Sequence, residues 1–171
     1  MSMAKGYSIW MMPTGDVYRK LSGIISELSS KYSAPKFEPH VTLLGELLES
    51  EDVVLSKTEQ LSKTIKPFSI KLALVDYLDQ YFRCLFLRAE ETNYLTDANN
   101  NARELFNRQQ DPKFMPHLSL MYGDFPTRLK DEIIRQLGKE FNVIFDVKSI
   151  HLVSTNNETK EWHRVKEFVL E

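Results

Sequence analysis

Two short stretches of the chain, Pro39-His40-Val41-Thr42-Leu43 and Pro116-His117-Leu118-Ser119-Leu120, follow one pattern: proline, histidine, an apolar residue, a hydroxyl residue, leucine. On a β-strand successive side chains point to opposite faces. His40 and Thr42 therefore share one face while Val41 and Leu43 share the other, and His117 with Ser119 stand likewise against Leu118 with Leu120. Each strand turns an apolar face to a core and an imidazole plus a hydroxyl away from it. Proline before each histidine suits the first residue of a strand, where its missing N–H costs least.

The duplication extends beyond the motif. At the same offset of 77 positions, Phe68-Ser69-Ile70-Lys71 matches Phe145-Asp146-Val147-Lys148. Further on, Tyr81-Phe82-Arg83 corresponds to Trp162-His163-Arg164. Three matches in order predict two similar lobes about an approximate two-fold axis, an axis able to set the histidine strands side by side. Between them, Val17, Leu21, Ile24, Ile25, Leu28 and Tyr32 recur at helical spacing and predict a helix over 16–32. Helices are also expected from Glu51 to Ile65 with Ser50 as cap, around Leu95–Phe106, and from Leu129 to Leu137 between Thr127 and Gly138. Strands are expected at Tyr7–Met11, His40–Leu44, Phe68–Val75, Phe82–Arg88, His117–Met121, Phe141–Val147, Ser149–Ser154 and Trp162–Leu170. The order, β-α-β-α-β-β then α-β-α-β-β-β, predicts an α+β fold: bilobal, two pseudo-symmetric lobes each with an antiparallel sheet and flanking helices, the cleft between the sheets. Residues 1–171 read as a single bilobal domain.

Composition narrows the function. The chain has 171 residues, with 22 Lys plus Arg against 24 Asp plus Glu, a formal charge of -2. That balance argues against gripping long nucleic acid by phosphate neutralisation. No run approaches the roughly 18 apolar residues of a membrane span, and Met1–Tyr7 lacks the apolar run of a secretory signal. A lone cysteine, Cys84, forms no internal disulfide, so a reducing, cytoplasmic setting is expected. It reads as packing, and His151 and His163, outside the paired motif, read as structural or solvent-facing. Arg83 and Arg164 hold matched positions and read as salt-bridge partners.

Two imidazoles and two hydroxyls meeting in one cleft suit a phosphate ester. Near neutral pH one histidine can be neutral and take a proton from water while the other, protonated, donates to the departing oxygen. Hydroxyls donate to the non-bridging oxygens as phosphorus becomes five-coordinate. Zinc would want a third protein ligand; Glu38 and Asp124 are near in sequence but offset from the histidine face, so no metal and no cofactor is expected. Ser119 as a nucleophile would lack an acidic orienter for its histidine.

These paired motifs in a duplicated chain of this size resemble the 2H phosphoesterase superfamily. Tyr7-Ser8-Ile9-Trp10, Pro39–Gly45 and Pro116–Asp124 resemble its plant and yeast cyclic nucleotide phosphodiesterase branch. The resemblance implies hydrolysis of ADP-ribose 1″,2″-cyclic phosphate and of nucleoside 2′,3′-cyclic phosphates to monoesters, compounds that arise downstream of tRNA splicing. It implies His40 and His117 as the catalytic acid–base pair, Thr42 and Ser119 as phosphate donors, Tyr122 at or near the phosphate, and Trp10 and Phe82 as aromatics lining the cleft. From the residues alone, strand aromatics such as these also suit a core. The expected partner is a small cyclic-phosphate nucleotide, without membrane or long nucleic acid, bound by a monomer. Two alternatives stand beside it: a 2H enzyme acting on RNA ends as a 2′-5′ phosphodiesterase or ligase, and a nucleotide or RNA-end binding module without turnover.

Overall fold

The computed structural model describes residues 3–171; Met1 and Ser2, part of the segment read for a signal, lie outside the described residues. The chain runs β1 (Tyr7–Met11), α1 (Gly15–Tyr32), β2 (Val41–Leu47), α2 (Glu51–Ser62), β3 (Phe68–Asp76), β4 (Leu85–Ala89), α3 (Asn93–Leu105), β5 (His117–Met121), α4 (Thr127–Leu137), β6 (Glu140–Val147), β7 (Ser149–Ser154) and β8 (His163–Val169). This is the expected order. In α1, Leu21, Ile25 and Leu28 are buried at helical spacing, with Asp16 in the first turn and Lys31 in the last, each favoured by the helix dipole. Among the described residues no helix is long and apolar enough to cross a membrane.

Strand β2 runs on to Leu47, past the expected Leu44, and two further boundaries differ for identifiable reasons. Helix α2 stops at Ser62, short of Ile65. There the backbone N–H groups of Lys63 and Thr64 donate to Gln60 and Leu61, the Thr64 hydroxyl takes the Leu61 carbonyl as well, and Pro67 follows, so the last turn tightens and ends. Ile65 is still buried. The strand expected from Phe82 begins only at Leu85, because Tyr81–Arg83 form a 3₁₀ turn. The Arg83 N–H donates to Gln80, the Arg83 carbonyl accepts from Leu78, and the Tyr81 carbonyl accepts from Gly123. Those backbone groups are committed before a strand ladder could use them.

All strand pairs are antiparallel, in the order β6-β3-β4-β5-β2-β1-β7-β8. Two four-stranded halves thus mirror each other and join where β2 meets β5, with Val41 opposite Leu118. The helices are exchanged between halves: α1 leaves β1 and packs against β5 and β6, while α3 leaves β4 and packs against β2. The second repeat match is placed differently from the expectation. Phe68 pairs with Val147 and Ile70 with Phe145, so these segments are partners in one ladder of one half and not equivalents across the axis. The chain crosses to the other half after α2, and this sets β3 beside β4 and later receives β6 on its outer edge.

Strand alternation divides the sheet into two environments. Ile9, Met11, Val41, Leu43, Leu118 and Leu120 enter the core shared with Leu21, Ile25, Val54, Leu61, Leu95 and Ile133 of the four helices. Trp10 and Val153 form a separate small cluster with Met12 on the opposite face. That second face carries the histidines.

Candidate active site

A cleft of about 420 Å³ opens at the centre of the sheet, walled in part by Asn99 and Arg103 of α3, and the candidate site residues read from sequence all line it: His40, His117, Thr42, Ser119, Tyr122, Trp10 and Phe82. His40 immediately precedes β2 and His117 opens β5, so the sheet's central junction brings the two motifs together.

The two imidazoles are held alike. Nδ1 of His40 lies 2.7 Å from the carbonyl of Glu38, and Nδ1 of His117 lies 2.8 Å from the carbonyl of Met115. A carbonyl only accepts, so each Nδ1 carries the proton. Each Nε2 is then the lone-pair nitrogen when the ring is neutral and the donor when it is charged. Both rings are pushed toward the neutral form. Burial lowers His40 from 6.5 to about 4; the Glu38 carbonyl bond opposes it, and the charge of His117 adds to the lowering. Burial also lowers His117, against its carbonyl bond, with Arg83 and Arg88 contributing further repulsion. Because each imidazolium disfavours the other, the pair holds a first proton more readily than a second.

The environments then diverge. The Trp10 indole lies flat on His40, with centroids 3.5 Å apart and planes 8° from parallel, while Phe37 meets it edge-on. His117 is the more open ring and has only the edge of Phe86. Trp10 is 3% exposed. With one face against His40 and almost no surface free, it offers no plane to a base; it supports the imidazole. Phe82 and Trp162, both half-buried, stand 6.0 Å apart and inclined by 31°, and these are the rings a base or ribose can reach.

Thr42 lies opposite Trp10 in the β1–β2 ladder, and Ser119 opposite Phe86 in β4–β5. The Ser119 hydroxyl donates to the Phe82 carbonyl at 3.2 Å, a long bond that it can exchange for a stronger anionic acceptor. Tyr122 is buried against Phe37, centroids 3.9 Å apart, and burial pushes its hydroxyl up despite an opposing pull from Ser119, so it remains a neutral donor. Gly123 follows at φ +144°, where a Cβ would sit 2.4 Å from Phe125; only glycine lets the chain turn there behind Tyr122.

Residues that sequence reasoning missed complete the walls. Trp162 joins the aromatic lining, and buried Phe37 backs Tyr122 from behind it. Lys5, Arg83, Arg103, Arg108 and Lys113 line the cleft against only two carboxylates, Glu46 and Asp111. The matched arginines also separate. Arg164 pairs with Glu38 through two bonds of 2.6 and 3.0 Å, as expected of a salt bridge. Arg83 has no ion pair among the described residues and faces the cleft instead. Cys84 is buried and its thiol pushed up by that burial, His151 is buried near Glu167, and His163 is exposed. No cluster of three or more His, Cys, Asp or Glu side chains able to hold a metal occurs among the described residues.

A curled α+β scaffold with a duplicated histidine–hydroxyl pair facing its cleft defines a 2H phosphoesterase. More closely, a family model described as "Cyclic phosphodiesterase-like protein" matches residues 3–170, and the chain belongs to that family. The Arabidopsis thaliana protein named "Cyclic phosphodiesterase" is 26% identical over 118 residues, covering 69% of this chain and 65% of that protein, just under two thirds of its length. Escherichia coli LigT complexed with 3′-AMP superposes with a TM-score of 0.63 at 13% identity over 98% of both chains. A Thermus thermophilus protein gives 0.59 at 19% identity, again over 98% of both. At these identities the structural likenesses establish the fold.

Proposed function

We propose that this protein is a metal-independent cyclic phosphodiesterase that opens ADP-ribose 1″,2″-cyclic phosphate and nucleoside 2′,3′-cyclic phosphates to monoesters by two-histidine acid–base catalysis. The observation that carries this reading is the matched pair of imidazoles lining one cleft, each fixed at Nδ1 by a carbonyl two residues upstream and each left with Nε2 available. His40, lowered to about 4, is neutral at physiological pH and takes the proton of the attacking water. The water oxygen bonds to phosphorus as one ring P–O bond breaks, and the departing oxygen receives a proton from His117. The more open His117 is the ring whose protonation an incoming phosphate anion favours most directly. Thr42, Ser119 and Tyr122 donate to the non-bridging oxygens, whose charge grows in the transition state. The donor set itself supports a metal-free step, since two histidines without a third ligand make a poor zinc site.

The test is turnover of adenosine 2′,3′-cyclic phosphate in the presence of EDTA, with assignment of the product as the 2′- or 3′-monoester. A single 2′-monoester formed equally with and without chelator is expected. Tight binding without product would favour the binding-module reading, and loss of activity on chelation would overturn the metal-free step.

A further inference from the structure

We propose that Arg83 anchors a second anionic group of the substrate, a phosphate or diphosphate remote from the cyclic ester that lies between the histidines. This inference rests on the reaction proposed above and specifies which of its substrates the cleft fits.

Of the other cations of the cleft, Lys5 has no ion pair among the described residues either, but it is exposed, whereas Arg103, Arg108 and Lys113 are engaged. Arg108 pairs with Asp111 at 2.7 Å and also donates to the carbonyls of Gly45 and Glu46. Arg103 spends its two terminal nitrogens on the carbonyls of Asp111 and Pro112, fixing that loop. Lys113 reaches Glu91 at 3.8 Å, on the outside. Near His117, Arg88 is neutralised by Asp76 at 2.6 Å. Arg83 differs: among the described residues no carboxylate or carbonyl accepts from its side chain, although it is half-buried and its own backbone is held in the 3₁₀ turn.

Its location gives that unused fork a direction. The turn places Arg83 directly after Phe82, whose ring lines the cleft and whose carbonyl holds Ser119. Arg83 is also near enough to His117 for its charge to disfavour the imidazolium. An unpaired guanidinium beside a would-be acid is unfavourable in the empty protein and becomes favourable once an anion binds to the guanidinium. A nucleoside cyclic phosphate brings one negative charge, which the histidines and hydroxyls engage. The cation surplus of the walls exceeds that, in a chain whose net charge is -2. A planar guanidinium with free donors matches a second phosphate group in a two-bond geometry.

The experiment compares adenosine 2′,3′-cyclic phosphate with its 5′-phosphorylated form in the wild type, Arg83→Met and Arg83→Lys. In the wild type the 5′-phosphate should raise kcat/KM by about 10-fold or more, the size of a charge-assisted contact. In Arg83→Met the ratio of the two substrates should fall to near unity, with partial recovery in Arg83→Lys. Calorimetric titration with inorganic diphosphate gives a readout independent of turnover, and Arg83→Met should weaken that binding by a similar factor. Turnover of both nucleotides with a ratio unaffected by Arg83→Met overturns the subsite and leaves the reaction standing. If the wild type turns over neither, the proposed reaction fails, and unchanged diphosphate binding in Arg83→Met then overturns the anion site as well.

Discussion

The indole of Trp10 and the imidazole of His40 lie face to face, 3.5 Å between centroids and within 8° of parallel. Strand β1 supplies one and the approach to β2 the other, and the ring planes, together with the Glu38 carbonyl, leave His40 little freedom to rotate. Such support fixes the direction of Nε2. Trp10→Phe keeps an aromatic face but reduces the overlap, so kcat should drop by about 10-fold while KM changes by about 2-fold or less, since small misplacements of a reacting group are costly. Steady-state kinetics on a cyclic nucleotide checks this. A rise in KM at constant kcat would instead mark Trp10 as a substrate contact.

Burial of His40 has a consequence for stability. Its value falls from 6.5 in the unfolded chain to about 4 in the folded protein, so between these limits the unfolded chain binds more protons. Stability is therefore full above pH 6.5 and is lost as pH falls toward 4. The loss from this residue is about 3 kcal/mol. His117 and His151 are lowered as well and add in the same sense. Denaturant unfolding at pH 7 and pH 4.5 should show the decrease, and His40→Gln should make the slope shallower. A slope equal to that of the wild type in His40→Gln would mean that the ring is solvated.

Much of this arrangement was legible in the chain, and the exceptions share a cause. The alternation of His40-Val41-Thr42-Leu43 and its copy determines which side chains face the cleft, because the period of a strand is local. The limits of β1, β5 and β7 follow from equally local signals. What the sequence did not disclose depends on long-range pairing. Phe68 and Phe145 belong to facing strands although their spacing equals that of the histidines. Trp162 comes 45 residues after His117 and reaches the cleft only because β7 and β8 add to the β1 side of the sheet. Arg83 and Arg164 looked equivalent until the fold gave one of them Glu38 and the other no acid.

In the proposed reaction the depressed histidines also govern rate. For kcat/KM the free enzyme counts: activity should rise with pH as the base loses its proton and fall as the acid loses its own. With His40 lowered to about 4 and His117 also below its usual 6.5, the bell should be displaced to the acid side, its rising limb near pH 4 and its falling limb below 6.5. In His40→Ala the residual activity should lose the rising limb and keep the falling one. Retention of the rising limb with loss of the falling one would exchange the roles of the two rings.

The hydroxyls should matter less than the rings. Thr42→Ala or Ser119→Ala removes one donor to a charged oxygen, a loss of about 10²–10³ in kcat at most. Removal of His40 or His117 abolishes a proton transfer worth about 10²–10⁴ and upsets its partner as well, so each histidine variant should fall below either hydroxyl variant. Single-turnover rates on one cyclic nucleotide give the ranking. A hydroxyl variant poorer than both histidine variants would shift the weight of catalysis from proton transfer to charge stabilisation.

Glu38 connects this chemistry to the end of the chain. Its carbonyl holds His40, while its carboxylate accepts from Tyr18 at 2.8 Å and from both ends of the Arg164 fork. Helix α1, the approach to β2 and strand β8 are thereby tied together two residues from the imidazole, whereas the corresponding Met115 before His117 has no charged group to clamp. The pair is partly exposed, so Arg164→Met should change stability by about 1 kcal/mol or less. Its effect should be on geometry: kcat lowered several-fold with little change in thermal midpoint, and with Arg164→Lys recovering only part because a point charge lacks the planar fork. Thermal melts run beside kinetics separate the two effects. An Arg164→Met enzyme with wild-type kcat would show that the carbonyl of Glu38 holds His40 without help from its side chain.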